Sequence, residues 1–197
     1  MILALDASTQ RGSVALIRDR LAVQEYLLET PRGRGGALFS ALAEILHNQP
    51  EIRRVVVGVG PGSYNGIRSA IAVAWGLATA RDIPLVGISS ILGFDTARYF
   101  AIGDARRGQY FCARIEEGHF TSGPDLLTKE ELEDALRECD LPIFSPAPID
   151  FLPKIIIRSP SAATLGIIGA DLAPNHPQPL YLKAAHITSP KNGIDRS

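Results

Sequence analysis

Residues 2 to 20 read "ILALDASTQRGSVALIRDR", and the fold can be predicted outward from this stretch. An apolar segment ends at Asp6, a polar turn containing Gly12 follows, and a second apolar segment leads back. Two such segments joined by turn residues are typical of an antiparallel hairpin. Residues 22 to 30, "AVQEYLLET", add a third strand. The sequence therefore begins with an antiparallel meander of three strands.

Helical spacing replaces strand alternation after this meander. Residues 36 to 46 carry apolar side chains at intervals of three and four, and residues 67 to 80 repeat that pattern with smaller residues. Between them, residues 54 to 59 form a continuous apolar segment of the kind expected for a buried central strand. A further strand is predicted at residues 83 to 89 and a short helix at residues 90 to 99. The predicted order is βββαβαβα.

The plan of the opening hairpin recurs at residues 100 to 118, "FAIGDARRGQYFCARIEEG". Asp104 and Gly108 take the places of Asp6 and Gly12, which indicates an internal duplication. Helices are predicted at residues 128 to 139 and 159 to 172, but nine of the fourteen prolines fall at or after Pro142 and leave room only for short strands. We expect an α/β fold of duplicated mixed sheets flanked by helices, with a truncated second half. Subdomains are predicted at residues 1–99 and 100–197.

This plan is that of actin, sugar kinases and heat-shock ATPases, whose two Asp-bearing hairpins flank the phosphates and metal of a nucleotide. Asp6 with Ser8 and Thr9, and Asp104 in the second hairpin, are candidates for the same role. The alternative is structural, because Asp and Ser at strand ends commonly bind nearby backbone amides. The sequence leaves both interpretations open.

A glycine-rich turn, "GVGPGSYNGIRSA" at residues 58 to 70, leads from the central strand into the second helix. It fits neither the GxxxxGK[ST] phosphate loop nor the GxGxxG dinucleotide pattern. A helix start with exposed amides still attracts anions, so Gly62 and Ser63 remain candidate phosphate contacts. A tight chain reversal, with Ser63 as the helix cap, explains the same residues and is the favoured interpretation.

The two predicted helices are apolar on more than one side. Phe39, Ala43 and Leu46 form a second stripe on the first helix, and the side of the second helix that carries Ala72 and Gly76 is equally uncharged. Surplus apolar surface of this kind indicates a contact with another polypeptide, the alternative being a core buried on both sides. The predicted contact residues are Leu38, Leu42, Ile45, Ile67, Ile71 and Trp75.

Composition restricts the function further. The 197 residues are 46% apolar and 21% charged, which excludes a wholly disordered chain. The formal net charge of -1 argues against a broad nucleic-acid-binding surface. Cys112 and Cys139 form no CxxC pair, and the four histidines have no metal-ligand spacing, so neither a metal nor another cofactor is expected. With no signal peptide or membrane span at the N-terminus, a cytoplasmic location is expected.

Four stretches together resemble one bacterial family. "MILALDAST", "GVGPGSYNGIRSAIAVAWGLATARDIPLVGISS", "DARRGQYF" and "PLYLK" are similar, in order and spacing, to the TsaB (YeaZ) family of accessory proteins for threonylcarbamoyladenosine synthesis on tRNA. The resemblance runs from Met1 to about Lys183. The chain departs from the family's usual residues at Asn65, at Trp75 and over residues 32 to 36.

The resemblance implies an actin-like fold and no catalysis by this chain alone. A larger paralogue, TsaD, would carry the metal and nucleotide and transfer the threonylcarbamoyl group to N6 of the adenine next to the anticodon, with a small ATPase, TsaE, joining the complex. The HxxxH pair of that paralogue is replaced here by residues 90 to 94, "SILGF". TsaD would dock on helices 36 to 48 and 66 to 80, a homodimer would use the same face, and tRNA would be contacted only through the complex. The alternative function is a small kinase or hydrolase that uses Asp6 and Asp104.

Overall fold

The computed structural model describes residues 1–29, 36–47 and 51–182. Its first sheet contains the five strands β1 (Ile2–Asp6), β2 (Arg11–Arg18), β3 (Leu21–Glu29), β4 (Arg54–Gly58) and β5 (Leu85–Ile88). Their order across the sheet is β3-β2-β1-β4-β5. Strands β1 to β3 are antiparallel, whereas β4 and β5 run parallel to β1. This confirms the predicted opening meander and central strand.

The second sheet repeats the first. It contains β6 (Arg98–Asp104), β7 (Tyr110–Glu116), β8 (His119–Leu127), β9 (Ile143–Ser145) and β10 (Ile156–Ile157). Read as β8-β7-β6-β9-β10, it has the same order and the same strand directions as the first sheet. The strands β9 and β10 have only three and two residues. The duplicated actin-like fold with a truncated second half is therefore confirmed.

Four α-helices are described: α1 (Ala37–Leu46), α2 (Tyr64–Arg81), α3 (Lys129–Leu136) and α4 (Ala162–Ile168). Helix α2 begins where the Ser63 side chain accepts a hydrogen bond from the Gly66 amide. It ends at Asp82, whose φ of 51° is left-handed and stops the helix. None of these helices is long and apolar enough to cross a membrane.

The first sheet is covered on both faces. Helices α1 and α2 lie on one face, where their apolar residues pack with Leu3, Leu5, Val55 and Val57. Helix α4, from the second half of the chain, lies on the other face in a core shared by both sheets. Its N-terminal amides are bonded by the first sheet: the Ser13 hydroxyl accepts from Ala162 N at 2.8 Å, and Glu25 accepts from Ala163 N at 3.3 Å. The two halves of the chain therefore share one core.

The free edge of β5 is covered by residues 174–182, which we call the strap. Asn175 N donates to Leu85 O at 3.1 Å. The Asn175 side-chain amide accepts from Gly87 N at 2.8 Å and donates to Gly87 O at 3.0 Å, as a neighbouring strand would. Farther along, Leu180 N donates to Val59 O at 2.8 Å. The strap thus seals an edge that would otherwise present unpaired backbone groups.

Two predicted elements differ from the structure. Residues 90 to 99 were expected to be helical, but only Ser90–Leu92 form a single 3₁₀ turn, which closes with Gly93 N donating to Ser90 O at 2.9 Å. Strand β6 already begins at Arg98 because it pairs with β7 on one side and β9 on the other. The last helix is shorter than the predicted residues 159 to 172. The division of the chain into 1–99 and 100–197 stays a prediction.

Candidate functional site

Asp6 ends β1 and is completely buried. Its Oδ1 accepts hydrogen bonds from the Ser8 amide at 3.0 Å and from the Ser8 hydroxyl at 2.8 Å. Its Oδ2 has no hydrogen-bond partner among the described residues. The Ser90 hydroxyl is nevertheless near enough to stabilise the ionised form of the carboxyl. Burial raises the pKa of Asp6, and the nearby Ser90 hydroxyl and the hydrogen bonds from Ser8 oppose this effect only in part. The carboxyl is thus held inside the protein and favours its neutral form.

The other candidates for nucleotide binding also make contacts within the protein. Ser8 is buried with Asp6. Thr9 accepts a hydrogen bond from Arg11 N at 3.2 Å and donates to the Ser159 hydroxyl at 3.1 Å. Asp104 is exposed at the end of β6, where its Oδ1 accepts from the Arg106 amide at 2.6 Å. These are the contacts expected from the structural alternative, in which each Asp binds the backbone of its own turn.

The backbone of the glycine-rich turn is bonded to its neighbours in the protein. Gly60 N donates to the Ser90 hydroxyl at 2.8 Å, and Gly60 O accepts from Ser90 N at 2.8 Å and from the Ser89 hydroxyl at 2.9 Å. Ser63 N donates to Ser8 O at 2.7 Å. Two amides that a phosphate cradle would need are therefore already used.

Close packing explains the glycines of this turn. A Cβ atom on Gly62, whose φ is 154°, would lie 2.1 Å from Ser8 O, and one on Gly66 would lie 2.0 Å from Ala7 O. The turn is pressed against the loop that joins β1 to β2, and only glycine fits at that distance. This geometry supports the chain-reversal interpretation of residues 58 to 70.

Five of the six predicted contact residues face the protein's own core. Between 1% and 8% of each side chain is exposed, and all five pack toward the first sheet: Leu38, Leu42, Ile45, Ile67 and Ile71. The stripes were recognised in the sequence, but the stripe that faces the sheet was assigned to the partner. Because a partner cannot reach these side chains, the residues of the predicted contact must be corrected.

The opposite sides of the same helices are exposed. On α1, Phe39 is 60% exposed and Ala43 is also at the surface. On α2, Ala72 and Gly76 are exposed, and no charged residue occurs from Ser69 to Ala80. We call the surface formed by Phe39, Ala43, Ala72 and Gly76 the helical face. It is the apolar surface that α1 and α2 leave uncovered on the described chain.

Rings from the strap pack against α2. Trp75 is half-buried, and its indole meets the His176 ring edge-on with 4.4 Å between the ring centroids. Near the start of the helix, Tyr64 stacks on Tyr181 at 5.2 Å, and Arg68 donates to the Tyr64 hydroxyl at 2.5 Å. No pattern in the sequence predicts these contacts, because the strap follows neither helical nor strand periodicity.

Comparison with known proteins finds similarity to proteins named for tRNA modification. The family model described as "TsaD: tRNA N6-adenosine threonylcarbamoyltransferase" matches residues 36–139, just over half of the chain. The tRNA threonylcarbamoyladenosine biosynthesis protein TsaB of Bacillus subtilis is 32% identical over 120 residues, which cover 56% of this chain and 52% of that protein. Its counterpart in Escherichia coli is 30% identical over 127 residues, which cover 58% and 54%.

The chain thus spans about half the length of these two relatives. A longer match, with an uncharacterized protein of Mycobacterium tuberculosis, is 28% identical over 190 residues and covers 91% of this chain and 88% of that one. Two solved structures from Pseudomonas aeruginosa share the fold. An uncharacterized protein with similarity to peptidase YeaZ has a TM-score of 0.72 at 24% identity and covers 92% of this chain and 99% of its own. YeaZ has a TM-score of 0.66 at 23% identity, with coverages of 86% and 90%.

Proposed function

This chain belongs to the TsaB (YeaZ) family, and from that membership we propose that it is a non-catalytic subunit in tRNA threonylcarbamoyladenosine biosynthesis. In this proposal it binds a TsaD-type catalytic paralogue in the cytoplasm and holds it in an active arrangement. A TsaE-type ATPase joins the complex, and tRNA is contacted through the complex.

The helical face is the observation that carries the proposal. Phe39 projects from α1 with most of its ring in solvent, and the exposed side of α2, on the same face of the first sheet, is built from small uncharged residues. Small residues let a partner helix approach closely, and an exposed aromatic side chain supplies a large apolar area. A surface of this kind suits an apolar partner helix better than it suits water.

The buried carboxyl of Asp6 supports a non-catalytic role. In the alternative function, a kinase or hydrolase, this side chain would have to contact a metal-bound phosphate. Here it is fully enclosed and bonded to Ser8, and burial favours its neutral form. An enclosed carboxyl whose ionisation is opposed by burial is a poor ligand for Mg²⁺, which prefers ionised oxygen ligands.

The test is to place a charge on the helical face without disturbing the core. We expect the double variant Phe39→Glu, Ala72→Glu to fold normally and to lose capture of the TsaD-type partner by about tenfold or more, because the buried charges would have no counter-ion. Binding is measured by surface plasmon resonance, and folding by circular dichroism. Phe120→Glu is the control, because Phe120 is a partly exposed aromatic residue on β8, away from both helices.

Wild-type affinity in the folded double variant would refute the proposal. Leu42→Glu is not a suitable test, since Leu42 is only 5% exposed and its replacement would disrupt the core. We also propose that the isolated chain pairs with a second copy through the same face. Sedimentation of the double variant should then show a monomer at concentrations where the wild type is a dimer.

A further inference from the structure

A groove of about 410 Å³ lies between the C-terminal end of α2 and the beginning of the strap. Its lining includes an aromatic ring, a carboxylate and a side-chain amide, contributed by Trp75, Asp82 and Asn175, together with Thr79, Ile83 and Pro174. Along α2 it adjoins the helical face, because Thr79 lies one turn beyond Gly76. A partner that covers the helical face would therefore also reach the groove.

The groove has negative potential from two sources. The first is the Asp82 carboxylate, which is exposed and makes no ion pair with any cation in residues 1–29, 36–47 and 51–182. The second is the end of α2, where the helix dipole places partial negative charge. Arg81, in the last turn, does not line the groove.

The caps at this helix end leave carbonyl groups available. Asp82 N donates to the carbonyls of Ala78 and Thr79, and Ile83 N donates to Ala78 O at 3.1 Å. No backbone amide in the described part of the chain is bonded to the carbonyls of Ala80 or Arg81. Pro84 follows and has no N–H to offer. The end of α2 beside the groove thus keeps carbonyl groups that accept from no described backbone amide, although Ala80 and Arg81 do not line the groove itself.

Trp75 adds a third attraction for a cation. Its indole lines the groove while His176 contacts it edge-on. The face of an indole carries the negative part of its quadrupole and binds guanidinium and ammonium groups. An aromatic ring and a carboxylate without an ion pair, at the negative end of a helix, together form a site complementary to a long cationic side chain.

We propose that this groove receives an arginine or lysine side chain of the TsaD-type partner when that partner covers the helical face. The inference rests on the proposed function and specifies one contact within it. The guanidinium or ammonium group ion-pairs with Asp82, while the aliphatic stem of the side chain lies along Trp75 and Pro174. The apolar helical face supplies binding area, and the groove selects a partner with a cation at the right place.

The first experiment uses the isolated chain. Trp75 is the only tryptophan of the sequence, so intrinsic fluorescence reports directly on the groove. N-acetyl-arginine amide, titrated at constant ionic strength, should give a saturable change in emission, and N-acetyl-norleucine amide should bind more weakly. Asp82→Asn should weaken arginine binding by about fivefold or more. Asparagine tolerates the left-handed φ of this position, so the variant should fold.

Asp95→Asn, a change of another exposed carboxylate, is the control and should leave arginine binding unchanged. Equal binding of both amides, no saturable change with either, or equal affinity of Asp82→Asn and wild type would overturn the proposal.

The second experiment uses the complex. Asp82→Asn should weaken capture of the TsaD-type partner by about fivefold to tenfold, with a reduced salt dependence, because an ion pair has been removed. Unchanged capture would overturn the groove contact while leaving the proposed function intact. If the wild-type chain captures no such partner, the proposed function fails, and the partner assigned to the groove fails with it. In that case, the arginine titration of the isolated chain still shows whether the groove binds cations.

Discussion

At the scale of single residues, Asp6 carries the strongest constraint in the first sheet. It is the only ionisable side chain in the described residues that is buried with no exposed area and lacks a charged partner. Its neighbour Gly58 must be glycine, because a Cβ there would lie 1.9 Å from Asp6 Oδ2. The Asp6 carboxyl thus lies closely packed between the end of β1, Gly58 of β4 and the Ser90 hydroxyl.

Asp6 also makes stability depend on pH. Its pKa is raised by burial above the ordinary value of 3.8, so the folded chain keeps a proton that the unfolded chain releases. The contribution of Asp6 to stability should therefore be greatest below that ordinary value and should fall as pH rises through the folded-state pKa of Asp6. Asp6→Asn removes the titration and should be more stable than wild type at neutral pH, with the difference shrinking on acidification. Urea unfolding at a series of pH values measures this, with Asp95→Asn as the control.

A constant difference between Asp6→Asn and wild type at every pH would contradict this assignment. It would mean that the carboxyl titrates alike in the folded and unfolded chains.

At the scale of elements, α2 shows what sequence periodicity can and cannot determine. The 3.6-residue pattern placed the helix and identified both of its apolar stripes. It could not decide which stripe faces the sheet, because neither carries a charge between Ser69 and Ala80. Helix α1 has the same ambiguity, with Leu42 in the core and Phe39 in solvent. Where both sides of a helix are apolar, the choice is made by the strands that it packs against.

Elements that depend on their own residues could be predicted from the sequence, whereas elements held by distant contacts could not. Strands β1 and β4 follow from their own apolar residues. The 3₁₀ turn at Ser90–Leu92 does not, because the helix expected there is interrupted when Ser161 N donates to Gly93 O at 2.8 Å. The strap is held by contacts between Asn175 and Gly87, which are 88 positions apart. Partners so distant leave no spacing that a single sequence can show.

Two glycines of α2 give a matched pair of variants. A methyl group on Gly66 would lie 2.0 Å from Ala7 O, whereas one on Gly76 meets nothing within 4 Å. Gly66→Ala should therefore destabilise the chain by about 3 kcal/mol, since either the turn or the helix must move. Gly76→Ala should stabilise it by about 0.5–1 kcal/mol through helix propensity. Urea unfolding followed by circular dichroism measures both.

If the two alanine variants had equal stability, the packing of the turn against the β1–β2 loop would have to be reconsidered.

At the scale of the whole molecule, the two halves depend on each other. Helix α4 covers one face of the first sheet, where Ala4, Ala15 and Val56 are fully buried. The strap closes the β5 edge of the same sheet. Both elements come from the second half of the chain. The repeat is therefore visible in the strand order, while the covering of the first sheet depends on elements from the second half of the chain.

A fragment of residues 1–99 tests this dependence. Without α4 and the strap it exposes an apolar sheet face and an unpaired edge, so we expect no cooperative unfolding and strong binding of a hydrophobic dye. Residues 1–182 should unfold in one transition, with Trp75 fluorescence and circular dichroism coinciding. A sharp, dye-free transition of the short fragment would instead establish residues 1–99 as an independent domain.

The position of the strap also affects how the protein is made. Synthesis proceeds from the N-terminus, and β5 leaves the ribosome about ninety residues before Asn175 and Leu180, which close its edge. During that interval the backbone groups at one edge of the first sheet are unpaired, and one of its faces is not yet covered by α4. The nascent chain is then most exposed to wrong pairing with other nascent chains, so a chaperone that shields sheet edges would help it most before the strap emerges.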